Sequence, residues 1–398
     1  MTSTTIPRII SVDDHVVEPA HLFRTWLPTK FREQGPRCET KRLHVAFEGG
    51  ATYTTSFADD GVPGDVWFYE DLVVPLRRNI AAAGFPREEM TLQPITYDTM
   101  RRGCWDPAAR LVDMDTNWVE ASLCFPTFPR FCGQTFAEAK DKALALACVR
   151  AYNDWMVDEW CGDSGGRLIP LTLVPLWDVA LAVDEVHRNA ARGVRAVCFS
   201  ECPAKLGLAS IHSGYWDPFF AACEATGTVV NMHIGSSSST TSTSADAPAA
   251  VQITLSFNYS LISLSDYLFS GLFVRFPNLK VAYSEGQMGW IPFVLQRADD
   301  VWHEHRGWNG VADLLPDPPS TYFYRNVFAC FFRDDVGVGM IEKVGPDNIT
   351  FETDYPHTDT TWPHTKQVAT DMLAGVPDDI VYKLLRGNAI RMLGLPLR

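Results

Sequence analysis

The chain has little positive charge for its size. Its 34 Lys and Arg are outnumbered by 48 Asp and Glu, which leaves a formal net charge of −14 over 398 residues. Phosphate backbones are bound through basic faces, so nucleic acid is not expected as a partner. An anionic small substrate held by one cation and an Arg or two remains compatible with that balance. Long apolar runs are missing too, and no stretch approaches the ~20 residues that span a bilayer. The opening MTSTTIPRII has no basic segment followed by an apolar one, so no signal peptide and a cytoplasmic location are expected. Ten cysteines are present without a single C-x-x-C pair, Cys198 and Cys202 coming nearest. A chain of this length needs no disulfide staples, and reduced thiols are the expectation. No G-x-G-x-x-G follows an apolar run and no G-x-x-x-x-G-K-[ST] occurs, so nucleotide binding has no support. There is no short internal repeat.

What is present is ample for one large core, at 46% hydrophobic residues. The 12 Trp and 23 Phe are rich enough to line a pocket for a flat or apolar ligand as well as to fill that core. Strand-like runs at residues 9–12, 118–125, 167–176, 194–199, 228–233, 279–284, 326–331 and 348–351 alternate with helical patterns, among them 108–117, 136–159, 178–192, 217–226, 256–273, 289–303, 334–344 and 378–392. Alternating strand and helix means a parallel sheet. Eight such units in one chain favour an α/β fold of the (β/α)8 TIM barrel type over an open sheet. Residues 35–105 break the rhythm with frequent Gly and Pro, and a hairpin over 46–57. They read as an insertion or cap on a single domain spanning 1–398. A polar run, SSSSTTSTS over 236–244, follows His233 and is a candidate mobile lid or a plain surface loop.

Chemistry-bearing residues collect at strand ends. Asp13 and His15 are two apart at the end of the first apolar run, so in a strand both face one point while Asp14 turns away. His233 closes VVNMH, and Asp354 follows ITF after two intervening residues. Singly, each has a structural reading: a turn cap for Asp13 or Asp354, a satisfied polar core residue for either His. In a parallel barrel all strand C-termini open on one face, where two carboxylates and two imidazoles complete a mononuclear site with a position left for water or substrate. That donor set suits one divalent cation, Zn2+ or alternatively Mn2+. His357, three residues past Asp354, is a candidate substrate or supporting contact. Arg130, just beyond the second strand, is a candidate clamp for a substrate carboxylate.

These residues carry a resemblance. VDDHVVEP followed late by TDYP resembles the amidohydrolase superfamily, in particular its aminocarboxymuconate-semialdehyde, dihydroxybenzoate and γ-resorcylate decarboxylases. Asp13-x-His15 stands where that group has H-x-H or E-x-H. The segment DPAARLVDMDTNWVEASLCFPT, ending at Thr127, is similar to the group's helix, "MD" and Pro-terminated strand. His233 in NMHIG falls at the fifth-strand His, and Thr353-Asp354-Tyr355-Pro356 at the late motif whose Asp is a ligand. The resemblance implies a metal-dependent barrel enzyme, Asp13, His15, His233 and Asp354 as ligands, and a homodimer. There is one departure. Where the decarboxylases carry a catalytic His after the sixth strand, this chain reads Ser284-Glu285-Gly286-Gln287-Met288-Gly289-Trp290. Glu285 takes its place as proton shuttle, as a group orienting bound water, or as a further ligand; a salt bridge to an Arg is its structural alternative. Gln287 and Trp290 join Arg130 as expected substrate contacts. Three functions stay open: non-oxidative decarboxylation of an aromatic or unsaturated acid with Asp354, Glu285 and His357 catalytic, hydrolysis by metal-activated water, and a barrel that only binds its ligand.

Overall fold

The first apolar run builds a longer strand than its β-branched residues alone imply. β1 spans Ile9–Val16 and every residue in it is buried. The computed structural model describes residues 5–49, 52–239 and 241–397. Residues 1–4, on which part of the leader expectation rests, lie outside the described residues, as do the tip of the 46–57 hairpin and Thr240 of the polar run.

An insertion follows β1 with β2 (Arg37–Gly49), β3 (Thr52–Phe57), β4 (Val62–Tyr69) and β5 (Leu72–Pro75). The chain then returns to β6 (Val119–Pro126), β7 (Leu168–Ile169), β8 (Ala196–Cys198), β9 (Val229–His233), β10 (Val281–Ser284), β11 (Val327–Phe331) and β12 (Ile349–Phe351). Eight of these form one parallel sheet in the order β7-β6-β1-β12-β11-β10-β9-β8. The two edges meet just after β7. Thr172 pairs in parallel with Val197, its amide donating to the Ala196 carbonyl at 3.2 Å and its carbonyl accepting from Cys198 at 2.8 Å. The sheet closes on itself, so the expected eight-stranded α/β barrel is the observed fold, and no edge is left open. Its strands are buried on both faces, as parallel strands covered by helices must be.

Several expected elements are shorter or broken, among them the strand over 194–199 and the helices over 256–273 and 334–344, and in two the structure shows the reason. The strand over 167–176 is cut to Leu168–Ile169 because Pro170 has no N–H for the ladder, and Thr172 alone resumes the pairing. The helix over 136–159 is broken into Gln134–Ala137 and Lys142–Trp155. Between them, Asp141 caps the second helix by accepting from Ala143 and Leu144. The amides of Lys140 and Asp141 donate to Glu70, in the β4–β5 turn, at 2.8 and 3.0 Å. A contact from the insertion therefore wins over local helical periodicity.

The insertion is an antiparallel sheet in the order β3-β2-β4-β5. Trp67 stacks on Phe128 with centroids 4.8 Å apart, and Phe23 meets Trp67 edge-on at 5.8 Å. Phe128 sits just past the end of β6, so this aromatic cluster ties the insertion to the barrel mouth. The amides of Ala82 and Ala83 donate to the Pro356 carbonyl at 2.7 and 3.1 Å. None of the ten cysteines is in a disulfide. Among the described residues no helix is long and apolar enough to cross a membrane.

Candidate metal centre

The strand ends converge as the parallel topology requires. From β1, His15 Nε2 lies 3.6 Å from Asp13 Oδ1, 3.5 Å from Asp354 Oδ1 and 3.4 Å from Glu285 Oε1. From β9, His233 Nε2 lies 3.2 Å from His15 Nε2, 3.5 Å from Asp13 Oδ2 and 3.1 Å from Glu285 Oε1. Asp13, His15, His233 and Glu285 each offer a ligand atom within 4.8 Å of the others, and so do His15, Glu285, Asp354 and His357. Three of the four expected ligands, Asp13, His15 and His233, fall in one group with Glu285, while the fourth, Asp354, falls in the adjoining group with His357, the two groups sharing His15 and Glu285.

Backbone and neighbouring side chains hold each group in place. The His15 amide donates to Tyr355 at 2.7 Å, and its carbonyl accepts from the buried Arg110 guanidinium at 2.6 Å. The Asp354 amide donates to the Asp13 carbonyl at 3.1 Å, which locks the first and last barrel strands in register. His233 Nδ1 lies 2.6 Å from the Ile234 carbonyl, so that nitrogen carries the proton and Nε2 presents a lone pair to the cluster. Phe131 stacks on the His233 ring at 4.1 Å and 6°. Glu285 and Asp354 have φ of 55° and 49°, the left-handed region that non-glycine residues rarely enter, as is common where a site fixes a side chain. At Gly289, four residues past Glu285, an added Cβ would come 2.9 Å from Asp334 Oδ1, while Asp334 Oδ2 accepts the amides of Met288 and Gly289.

The electrostatics fit a cation. Both oxygens of Asp13 and Oδ1 of Asp354 are buried without a hydrogen-bond partner. Burial, then the neighbouring acids Glu352 and Glu285, push the Asp13 carboxyl far up; burial, then Glu285, do the same for Asp354. A divalent ion reverses that sign and supplies the missing partner. Burial, then His357, drive His15 well down, so its imidazole is neutral and ready to donate a lone pair. For Glu285 burial pushes up, but the imidazoles, His233 first, outweigh it and hold the carboxyl well below the usual range. Nitrogen and carboxylate donors in this number match zinc or manganese.

Above the cluster lies a cavity of about 610 Å³, with His15 and His357 on its floor and the insertion's Leu72, Val74, Pro75, Leu76 and Arg77 on its wall. A second, of about 200 Å³, lies beyond Phe131 against His233, Glu285 and Tyr259. Arg130 borders the larger cavity, but its guanidinium is committed to Glu138 at 2.8 Å and to Ser238. Gln287 and Trp290 line neither cavity, and Trp290 Nε1 donates to the Gly286 carbonyl at 2.6 Å. The candidate lid is anchored at its start: Ser236 and Ser237 are fully buried, and Ser236 Oγ accepts from the Glu201 amide. Three residues escaped sequence reasoning. Glu201 and Glu352 are buried acids at the ends of apolar runs, the same signal that picked out Asp13 and Asp354. Arg77 lies in irregular sequence and gave no signal.

The family profile described as Amidohydrolase matches residues 36–395. That span begins after β1 and so does not include Asp13 or His15. The chain is 24% identical over 315 residues to the 2-amino-3-carboxymuconate-6-semialdehyde decarboxylase of Dictyostelium discoideum, covering 73% of this chain and 77% of that protein. Among solved structures, an amidohydrolase from Mycobacterium avium subsp. paratuberculosis superposes with a TM-score of 0.69 at 22% identity, covering 98% of this chain and 99% of that one. The 5-carboxyvanillate decarboxylase of Novosphingobium aromaticivorans, complexed with manganese and 4-hydroxy-3-methoxy-5-nitrobenzoic acid, gives a TM-score of 0.62 at 15% identity, covering 98% and 96%. At these identities the structural matches show the fold.

Proposed function

The chain belongs to the amidohydrolase family, and from that premise we propose that it is a metal-dependent carboxy-lyase acting on an aromatic or unsaturated carboxylic acid. The observation that carries this reading is the larger cavity. Its lining takes in His15 and His357 of the cluster. It also takes in Arg77, whose guanidinium lies 3.8 Å over the Tyr53 ring and has no carboxylate partner among the described residues. Its Nε is buried without a hydrogen-bond partner. An apolar, partly enclosed space with one unspent cation suits a flat acid. Arg77 takes over the clamping role first expected of Arg130. The relatives named as decarboxylases, one of them complexed with a nitrobenzoic acid, support the same substrate class.

Asp13, His15 and His233 hold the cation, with Glu285 and Asp354 completing its surroundings; manganese in a relative and the mixed nitrogen and oxygen donors leave manganese and zinc as the two candidates. When bound, the ion supplies Lewis acidity and a template for a carboxylate and an adjacent oxygen. The insertion over 35–105 acts as a cap that excludes water and positions the ring against His357. Asp354 and His357 carry the proton. It is delivered to the ring carbon bearing the carboxylate, the bond from that carbon to the carboxylate breaks, its electron pair returns to the ring, and carbon dioxide leaves. Hydrolysis is the second reading, favoured by Glu285 lying beside His15 and His233 at the position where the sequence resemblance implies a His. Carbon dioxide release from a panel of hydroxybenzoates and unsaturated acids, set against turnover of esters, lactones and amides, tests the choice. Release from at least one acid is the expected result, and hydrolysis alone would reverse it.

A further inference from the structure

Deeper in the barrel, a second cluster sits against the first. Asp13, Cys330 and Glu352 place one ligand atom each within 4.8 Å of the others, and all three residues have 0% exposure. Cys330 belongs to β11 and Glu352 directly follows the adjacent β12, so the fold itself brings them together. Cys330 Sγ donates to Glu352 Oε2, which also accepts the Glu285 amide at 3.1 Å. Glu352 Oε1 and both oxygens of Asp13 are left with no hydrogen-bond partner in complete burial.

The charge count points the same way. Asp13, Glu285, Glu352 and Asp354 crowd one buried region, and no Lys or Arg among the described residues forms an ion pair with any of them; the ring nitrogens nearest Asp13, Glu285 and Asp354 belong to His15, His233 and His357. One divalent ion balances two of the four acids. The other two remain in a low-dielectric interior, where an uncompensated carboxylate is costly.

We propose that Asp13, Cys330 and Glu352 form a second cation site that shares Asp13 with the first and takes a thiophilic divalent ion of the zinc type. A thiolate among carboxylates selects zinc or cobalt over manganese or magnesium, whereas the first site offers only nitrogen and oxygen. Binding replaces the thiol proton with the metal–sulfur bond, and the proton goes to solvent. The first site rests on the reading of the preceding subsection, and the test separates the two. The full chain is loaded with Zn2+, freed of excess and assayed for metal per polypeptide; in parallel it is loaded with Co2+ and examined for a thiolate-to-cobalt charge-transfer band. Two equivalents and the band are expected, with Cys330→Ser and Glu352→Gln retaining one equivalent and losing the band. One equivalent and no band in the unaltered protein overturns the second site and leaves the first. No bound metal overturns both. Two equivalents persisting in both variants overturns the ligand assignment. Should a variant fail to fold, the cobalt spectrum of the unaltered protein decides the matter alone.

Discussion

Asp354 Oδ1 lies 3.2 Å from His357 Nδ1, and the His357 ring stacks on His15 at 3.6 Å. A carboxylate of the candidate metal cluster thereby lies against an imidazole that lines the cavity. If the two act as one proton-carrying unit, their loss is not additive. Asp354→Asn and His357→Asn should each lower kcat by about 10²- to 10⁴-fold, the range for a lost general acid or base. The double variant should be no slower than the worse single one. Steady-state kinetics with circular dichroism as a fold control measure this, and multiplicative losses would mean separate roles.

Glu285 sits closer to the imidazoles than a remote shuttle would, with Oε1 3.1 Å from His233 and 3.4 Å from His15. Glu285→Gln is therefore expected to weaken cation affinity by about tenfold or more, on the scale seen when groups around a metal are altered. Chelator competition reads that directly. A variant with full metal occupancy and a collapsed kcat would instead make Glu285 a proton carrier.

The barrel and most of its mouth were legible because both follow from short-range rules. Period-two alternation aims Asp13 and His15 at one point, and parallel strands put His233 and Asp354 on the same rim. Glu352 and Glu201 obeyed the same strand-end rule, but an acid in an apolar run carries no mark of whether it turns inward. What stayed hidden was set by contacts between distant segments. Glu70 interrupts a helix some 70 residues away by binding the amides of Lys140 and Asp141. Arg130 is paired with Glu138, while Arg77, half-buried, is brought to the cavity that His15 and His357 also line by a segment whose own pattern was poor. No local period encodes such pairings.

Arg77 supplies the test of the substrate class. A charge-assisted bond to a carboxylate contributes about 1.5–3 kcal/mol, so Arg77→Ala should raise KM about 10- to 100-fold while kcat changes little. Arg77→Lys should recover part of the loss, since it keeps the charge without the planar fork. The measurement is the split between KM and kcat on the best acid found in the panel. An unchanged KM in Arg77→Ala would place the substrate carboxylate elsewhere.

Glu201 gives a prediction about pH that does not depend on turnover. Its Oε1 accepts from the Gly235 amide at 3.0 Å and from Ser237 Oγ at 3.0 Å, whereas Oε2 is buried without a partner. Burial pushes this carboxyl from its ordinary 4.5 up to about 7. In that window the folded chain holds a proton that the unfolded chain has released. Stability attributable to Glu201 therefore falls as pH rises from 4.5 toward 7 and is flat above. The size of the fall is about 3 kcal/mol. Gln at this position keeps an oxygen for the Gly235 and Ser237 groups and cannot ionise. Urea unfolding of the unaltered chain and of Glu201→Gln at mildly acidic and mildly alkaline pH should show the variant gaining relative stability as pH rises. A difference between the two that stays constant across that range would mean Glu201 is ionised at low pH in the folded protein, and that its unpartnered oxygen reaches solvent.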